Sequence, residues 1–385
     1  MNTTKIKDVC VVVSGTTPKS TEKRYWNGTH VWITPAELTE DSFIVSDSER
    51  HITDEAVKAT GLKPFPKGTV LLSSRAPIGK VAIAGCDMYC NQGFKNLICS
   101  DSIYNLYLYY FLKSKTEYLN SLGRGATFKE ISKGIVEDIT IPFPAYDEQI
   151  HIAKQLQKIT ELIALKKRQY RYLDDIIRSR FLEMFGDPQN NCYNWKVLPL
   201  KDVMIGDALN GYFTKPQNYD VEGNVGVICV SDVVNRKYTN VNALRRAFAS
   251  EKDLQKYCVK YGDMLFCRSS LVKEGIGKAS VIPPYAEKDI LFECHVIKIA
   301  LDMSRVIPEY LQALSITDFF RIQVIKRSKT ATMTTIGQKD IASVNILLPP
   351  MELQKKFTKF SSQIDKSKYC GTISLHLLED VSHML

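Results

Sequence analysis

The sequence predicts an α+β fold made twice over: two globular parts of common plan, each followed by a long helix. Three observations carry this reading. Residues 147–185 have apolar side chains at Ile152, Leu156, Ile159, Ile163, Tyr170, Leu173, Ile177 and Met184, in steps of four and three, with Lys166 and Arg180 in the two gaps. Such spacing is the seam of a helix that packs along another helix. At about 1.5 Å per residue, that helix would be about 50 Å long. The second observation is an internal repeat. Ala126-Thr127-Phe128-Lys129-Glu130-Ile131 is echoed by Ala331-Thr332-Met333-Thr334-Thr335-Ile336. The echo keeps one offset of 205 positions through Ile139 and Val344, Ile141 and Ile346, Pro144 and Pro349, and Gln149 and Gln354. The third is a mixture of short strand-like runs and helical stretches in both parts.

In chain order, the first globular part covers residues 1–147. Strand-like runs lie at Val9–Val13, Val70–Leu72, Val81–Ala84 and Asn96–Cys99, where β-branched and apolar residues cluster. Thr53–Thr60 and Asn105–Ser121 read as helices. The first long helix occupies 148–187, and Gly186-Asp187-Pro188 ends it by glycine and proline chemistry. The second globular part, 188–349, has strand-like runs at Val225–Val230, Met264–Cys267 and His295–Ala300, and helical stretches at Ser250–Tyr257 and Ile307–Ile325. The second long helix takes 350–385, where Leu353, Phe357, Phe360, Ile364, Leu378, Val381 and Leu385 keep a four-three register. Ser367, Gly371 and Ser374 weaken it, and a glycine in a helix interior costs about 1 kcal/mol. Two such seams in one chain pack most simply on each other, and antiparallel packing would place the two globular parts at opposite ends of a rod.

Composition narrows the function classes. The chain has 385 residues, 44% apolar and 24% charged, which suits folded domains and not disorder. No apolar run is long enough to cross a bilayer. Met1–Asp8 lacks the apolar core of a signal peptide, so a cytoplasmic location is expected. The net charge of +9 favours an acidic partner such as nucleic acid. Ten cysteines are scattered, and only Cys86 and Cys90 stand close, without a second pair at zinc-ligand spacing. They read as reduced thiols packed as small apolar groups.

Motifs for catalysis are missing from the pattern. Gly275-Ile276-Gly277-Lys278 is too short for a phosphate-binding loop. No Asp/Asn-Pro-Pro-Tyr/Phe motif of an amino-methyltransferase occurs, and the six histidines show neither metal nor triad spacing. The expectation is no catalytic residue and no metal site. The remaining candidates are cationic and polar loop residues, suited to phosphates and base edges. In the first part they are Ser74, Arg75 and Lys80, then Asn91, Gln92 and Lys95, then Arg124, Thr127 and Lys129. In the second part they are Arg268, Ser269, Lys273 and Lys278, then Arg327, Lys329 and Thr332.

The chain resembles the specificity subunits of Type I restriction–modification systems. The resemblance is carried by Gly125-Ala126-Thr127 … Ile139-Thr140-Ile141-Pro142-Phe143-Pro144 … Glu148-Gln149 and its copy up to Gln354, by Asn91-Gln92-Gly93-Phe94, and by Arg180-Phe181-Leu182-Glu183-Met184-Phe185-Gly186-Asp187-Pro188. It covers the whole chain. It implies that the globular parts are target recognition domains, each reading one half of a split site in double-stranded DNA. It implies that the two long helices form an antiparallel coiled coil that sets the spacing and docks two methyltransferase subunits. Motor–nuclease subunits would join through the complex. S-adenosylmethionine, ATP and Mg²⁺ would be used by those partner subunits, for adenine methylation and DNA cleavage, and this chain would bind none of them. Two other readings stay open: a self-sufficient restriction enzyme, since nuclease carboxylate clusters are loose in sequence, and a coiled-coil interaction protein without sequence-specific DNA binding.

Overall fold

The computed structural model describes residues 2–384 apart from 76, 126–128, 214–218 and 287–288, with side chains of the last helix described through Lys368. The fold is α+β. It divides into two compact units, one of Met1–Lys167 with Ile373–Leu385, the other of Arg168–Thr372.

The first unit contains strands β1 (Thr3–Lys5), β2 (Cys10–Val13), β3 (Trp26–Ile33), β4 (Ile44–Val45), β5 (His51–Ile52), β6 (Val70–Leu72), β7 (Val81–Ala84), β8 (Tyr89–Cys90), β9 (Asn96–Cys99) and β10 (Thr140–Pro142). A five-stranded sheet has the order β2-β9-β6-β7-β4, a three-stranded sheet the order β5-β3-β8, and β1 pairs with β10. Strand β6 is apolar throughout because both faces of its sheet are covered. Val70 and Leu72 join Leu106, Leu108 and Leu112 of helix Asn105–Ser114 in one core. Leu71 faces a second core with Ile33, Phe65, Ala82 and Phe94.

The second unit contains β11 (Lys196–Pro199), β12 (Leu209–Asn210), β13 (Val225–Ile228), β14 (Arg245–Ala247), β15 (Met264–Cys267), β16 (Ser269–Ser270), β17 (Ala279–Val281), β18 (Ile290–Phe292), β19 (Val296–Ile299), β20 (Lys329–Thr330), β21 (Thr334–Thr335) and β22 (Asn345–Leu348). Its sheets run β12-β19-β15-β17, β14-β13-β18 and β16-β21-β20, and β11 pairs with β22. Strand β15 is sandwiched as β6 is. Met264 and Phe266 join one core, and Leu265 joins another. In each three-stranded sheet of this kind, the middle strand pairs antiparallel with one neighbour and parallel with the other: β3 with β5 and β8, β13 with β14 and β18.

The strands expected at 70–72, 81–84, 96–99 and 264–267 form with those bounds. The helices expected at 105–121 and 307–325 each form as two shorter helices, Asn105–Ser114 with Thr116–Ser121, and Pro308–Ser315 with Asp318–Arg327. The run 225–230 is strand only to Ile228, and Val230–Val233 makes a helical turn. The longest strand, β3, has no counterpart among the expected ones. Asn27 takes a left-handed φ of 62°, and a bulge separates Trp26 from His30. Gly28 lies so close to β5 that a Cβ there would meet the Ile52 carbonyl oxygen at 2.2 Å.

The first long helix runs Tyr146–Phe185. Asp147 and Glu148 in its first turn suit the positive end of the helix dipole. Gly186, at φ 74°, donates its N–H to Leu182 at 2.8 Å and ends the helix. Leu156 and Phe181 are buried, and Ile152, Ile159, Ile163, Tyr170, Leu173, Ile177 and Met184 are half-buried. Lys166 and Arg180, in the gaps of the apolar pattern, are half-buried too. Ile152 and Leu156 belong to the core of the first unit, and Ile177, Phe181 and Phe185 to that of the second. The division between units therefore falls inside this helix, whereas the sequence places boundaries at its ends.

The second long helix runs Met351–Met384. Phe357 is buried, Leu353, Phe360 and Ile364 are half-buried, and Leu378 lies outside the residues whose side chains are described. Within the second unit the two helices touch. Phe357 packs edge-on against Phe181 at 5.4 Å and Phe185 at 5.6 Å. The Arg180 guanidinium lies 5.6 Å from the Phe360 ring, and Lys368 pairs with Asp174. Contacts descend along one helix as they ascend along the other. Among the described residues, no helix is long and apolar enough to cross a membrane.

Candidate nucleic-acid interface

In the first unit, the chain leaving β6 continues into a small ladder. Ser73 bridges to Phe94, and the Ser74 N–H donates to the Gly93 carbonyl at 2.8 Å. On its other side the Ser74 carbonyl accepts from Ile131 at 3.0 Å, and Arg75 bridges to Glu130. Glu130 in turn exchanges two backbone hydrogen bonds with Arg124, at 2.9 and 3.0 Å. Three candidate sets that are distant in sequence thus meet here. The node is Glu130, which the sequence reading did not single out. Its carboxylate accepts from Arg75 Nε at 2.9 Å and from Lys95 Nζ at 3.3 Å. Burial alone would raise the Glu130 carboxyl, but hydrogen bonds and charge from Arg75 and Lys95 outweigh it and hold it below the usual carboxylate range.

The candidates of this unit divide by environment. Arg75, Arg124 and Lys129 are exposed along the ladder. Ser74 is buried, and Lys95, only 7% exposed, spends its ammonium on Glu130 and on Ser74 Oγ at 3.4 Å. Lys80 donates to the carbonyls of Leu38 and Pro35. The Asn91 side chain accepts from the Gly93 N–H at 2.9 Å and shapes a turn, and Gln92 accepts from Thr17 at 2.7 Å. Thr127 lies outside the described residues.

The second unit has a corresponding ladder. After β15, the Arg268 N–H donates to His295 at 2.8 Å and its carbonyl accepts from Ile336 at 3.0 Å. Strand β16 pairs with β21, Ser269 opposite Thr335 and Ser270 opposite Thr334, and β21 pairs with β20. The hairpin so formed exposes Lys329 and Thr332. Lys273 is exposed just beyond β16, and Ser269 is half-buried within it. The other cations are engaged internally. Arg268 donates to the Cys294 carbonyl at 3.0 Å, and Lys278 pairs with Asn235. Arg327 donates to Ser343 Oγ at 3.0 Å and to the Gln323 carbonyl at 3.1 Å.

These arrangements display cations and hydroxyls on short ladders beside the sheets, which suits phosphates and base edges. Among the described residues, no group of three or more His, Cys, Asp or Glu side chains is placed to hold a metal ion.

Known proteins share the sequence and the fold. Residues 1–173 match the family described as Type I restriction modification DNA specificity domain. The chain is 32% identical over 373 residues to the Type I restriction enzyme MjaIX specificity subunit of Methanocaldococcus jannaschii, covering 92% of this chain and 84% of that protein. It is 23% identical over 312 residues to the EcoKI specificity subunit of Escherichia coli K12, covering 76% of this chain and 65% of the relative. Among solved structures, the S subunit of a Type I system from M. genitalium aligns over 100% of this chain and 94% of its own, with a TM-score of 0.55 and 14% identity. That last likeness concerns fold alone.

Proposed function

The chain belongs to the specificity subunits of Type I restriction–modification systems, and from that premise we propose that its two units are target recognition domains, each reading one half of a bipartite DNA site. The observation that carries this reading is the recurrence of one ladder. In each unit the chain leaving the central strand pairs with a returning segment, at Ile131 with Ser74 and at Ile336 with Arg268. Exposed cations flank both ladders, Arg75, Arg124 and Lys129 in one, Lys273 and Lys329 in the other. Such cations supply the sequence-independent hold on phosphates, and the different side chains between them supply the choice of bases.

The two long helices act in this reading as an antiparallel coiled coil that sets the spacing between half-sites and docks two methyltransferase subunits. The contacts of Phe357 with Phe181 and of Lys368 with Asp174 support the pairing. Apolar residues that the seam leaves exposed support the docking: Leu162 and Leu165 in the first unit, Tyr172 and Ile176 in the second. A half-site spacing near one turn of DNA is about 34 Å, within the reach of a helix of 40 residues. The chain itself would supply sequence choice and no chemistry. S-adenosylmethionine would be used by the methyltransferase subunits, and ATP and Mg²⁺ by the motor–nuclease subunits.

Sequencing methylated adenines in DNA treated with the assembled complex tests the reading. The expected result is one asymmetric site of two short arms around an unread spacer. Replacing residues 1–147 by those of a relative should change one arm only, and a change in both arms would overturn the modular reading. Methyl transfer by the isolated chain would overturn the assignment of the chemistry to its partners.

A further inference from the structure

Leu271 and Val272 stand on the turn that follows β16, and they are 83% and 60% exposed. Exposed apolar residues are common singly, so the surroundings decide what this pair means. Val221 is 85% exposed as well, but Asp220 and Glu222 flank it in the chain. Leu271 and Val272 instead follow Ser269 and Ser270, precede the exposed Lys273 and Glu274, and leave a strand paired to the hairpin that exposes Lys329 and Thr332. An apolar tip with hydroxyls and ammonium groups beside it, and one carboxylate on the far side of Lys273, complements DNA, whose anionic backbones border a groove floor of base edges and thymine methyls.

The turn is also held in place. The Val272 N–H donates to Ser270 Oγ at 3.3 Å, and the Val272 carbonyl accepts from Gly275 at 3.1 Å. A Cβ on Gly275 would meet Ser270 Oγ at 2.3 Å, so the turn closes tightly. Arg321 donates to the Glu274 carbonyl at 3.0 Å, and Ile276 is fully buried beneath. In the first unit Arg75, bridged to Glu130, corresponds to Ser269, which stands opposite Thr335. The apolar pair lies two residues further along the chain than that point.

We propose that Leu271, with Val272 beside it, makes apolar contact with the bases of the half-site read by the second unit, and so determines part of its sequence preference. This rests on the DNA-recognition reading above. The test uses the full chain assembled with a methyltransferase subunit, and duplexes carrying the bipartite site found by methylation sequencing or a scrambled site. Leu271→Ala should weaken binding to the site by about tenfold and leave the scrambled duplex within about twofold. Leu271→Met, which keeps the apolar volume, should stay within about threefold of the parent on both. Thymine replaced singly by deoxyuridine in that arm should weaken the parent and leave Leu271→Ala unaffected if the contact is to a methyl group. A change in bending of the bound duplex on Leu271→Ala would instead identify insertion between base steps, and either result supports apolar base contact. Leu271→Ala combined with Val272→Ala binding the site as tightly as the parent would overturn the proposal, as would equal weakening on site and scrambled duplexes. A parent complex that shows no preference between the two duplexes would instead overturn the recognition reading itself.

Discussion

Gln149 and Gln354, 205 positions apart, are both fully buried at the start of a long helix and make the same three hydrogen bonds. The Gln149 side-chain oxygen accepts from the Tyr104 N–H at 2.9 Å, and its amide donates to the carbonyls of Ser102 and Pro144 at 3.2 and 3.0 Å. The Gln354 oxygen accepts from the Ile307 N–H at 2.8 Å, and its amide donates to the carbonyls of Arg305 and Pro349 at 3.4 and 2.9 Å. Each glutamine ties the start of its long helix to the segment entering a core helix. Substitution should therefore act on folding. Gln354→Leu removes the partner of the half-buried Ile307 N–H and of the Pro349 and Arg305 carbonyls, at about 1–3 kcal/mol for a group that stays buried and unsatisfied. Urea unfolding should show the loss, and an unchanged midpoint would refute the tie.

How much was legible in the sequence follows from which interactions are local. The long helix Tyr146–Phe185 was readable because its apolar residues recur at helical period and that period coincides with burial along it. Strands β6 and β15 were readable because a sheet covered on both faces needs an unbroken apolar run. Strand β3 was not, because the bulge and the left-handed Asn27 break its alternation. The candidate loops were legible as cationic segments, but which of their cations the fold engages was not. Lys95 meets Glu130 across 35 positions, and Lys80 meets the Leu38 carbonyl across 42. Only the folded chain brings those partners together.

Glu130 should make the first unit sensitive to acid. Its folded carboxyl is held below its unfolded value, so its pairing with Arg75 and Lys95 contributes stability that is present above about pH 4.3. That contribution is lost as pH falls through the folded value. Glu130→Gln should lower stability at pH 7 and reduce its dependence on pH between 5 and 3, where the parent declines more steeply. Parallel urea titrations of the two proteins across that range provide the measurement, and coincident pH profiles would refute the role of the carboxylate.

The helix contact in the second unit should depend on packing more than on charge. Phe357 is 1% exposed and touches the rings of Phe181 and Phe185, so Phe357→Ala should cost about 3–5 kcal/mol. Lys368→Ala removes an ion pair whose Asp174 partner is well exposed, and should change stability by about 1 kcal/mol or less. Chemical denaturation of both variants ranks the two contributions. A larger loss for Lys368→Ala would mean that charge, and not the aromatic cluster, holds the helices.

The exposed cations and the engaged ones should separate in the salt dependence of DNA binding. A lysine that contacts a phosphate releases a counterion, so removing it lowers the slope of log K against log salt by about 1. Lys129 and Lys329 are exposed on the two ladders, and Lys129→Ala and Lys329→Ala should each reduce the slope and weaken binding to every duplex alike. Lys80 holds the carbonyls of Leu38 and Pro35, so Lys80→Met should leave the slope unchanged while lowering the thermal midpoint. Titrations at several salt concentrations decide between these roles. A drop in slope for Lys80→Met, with none for Lys129→Ala or Lys329→Ala, would move the DNA away from both ladders and towards the turn just before β7, where Lys80 stands.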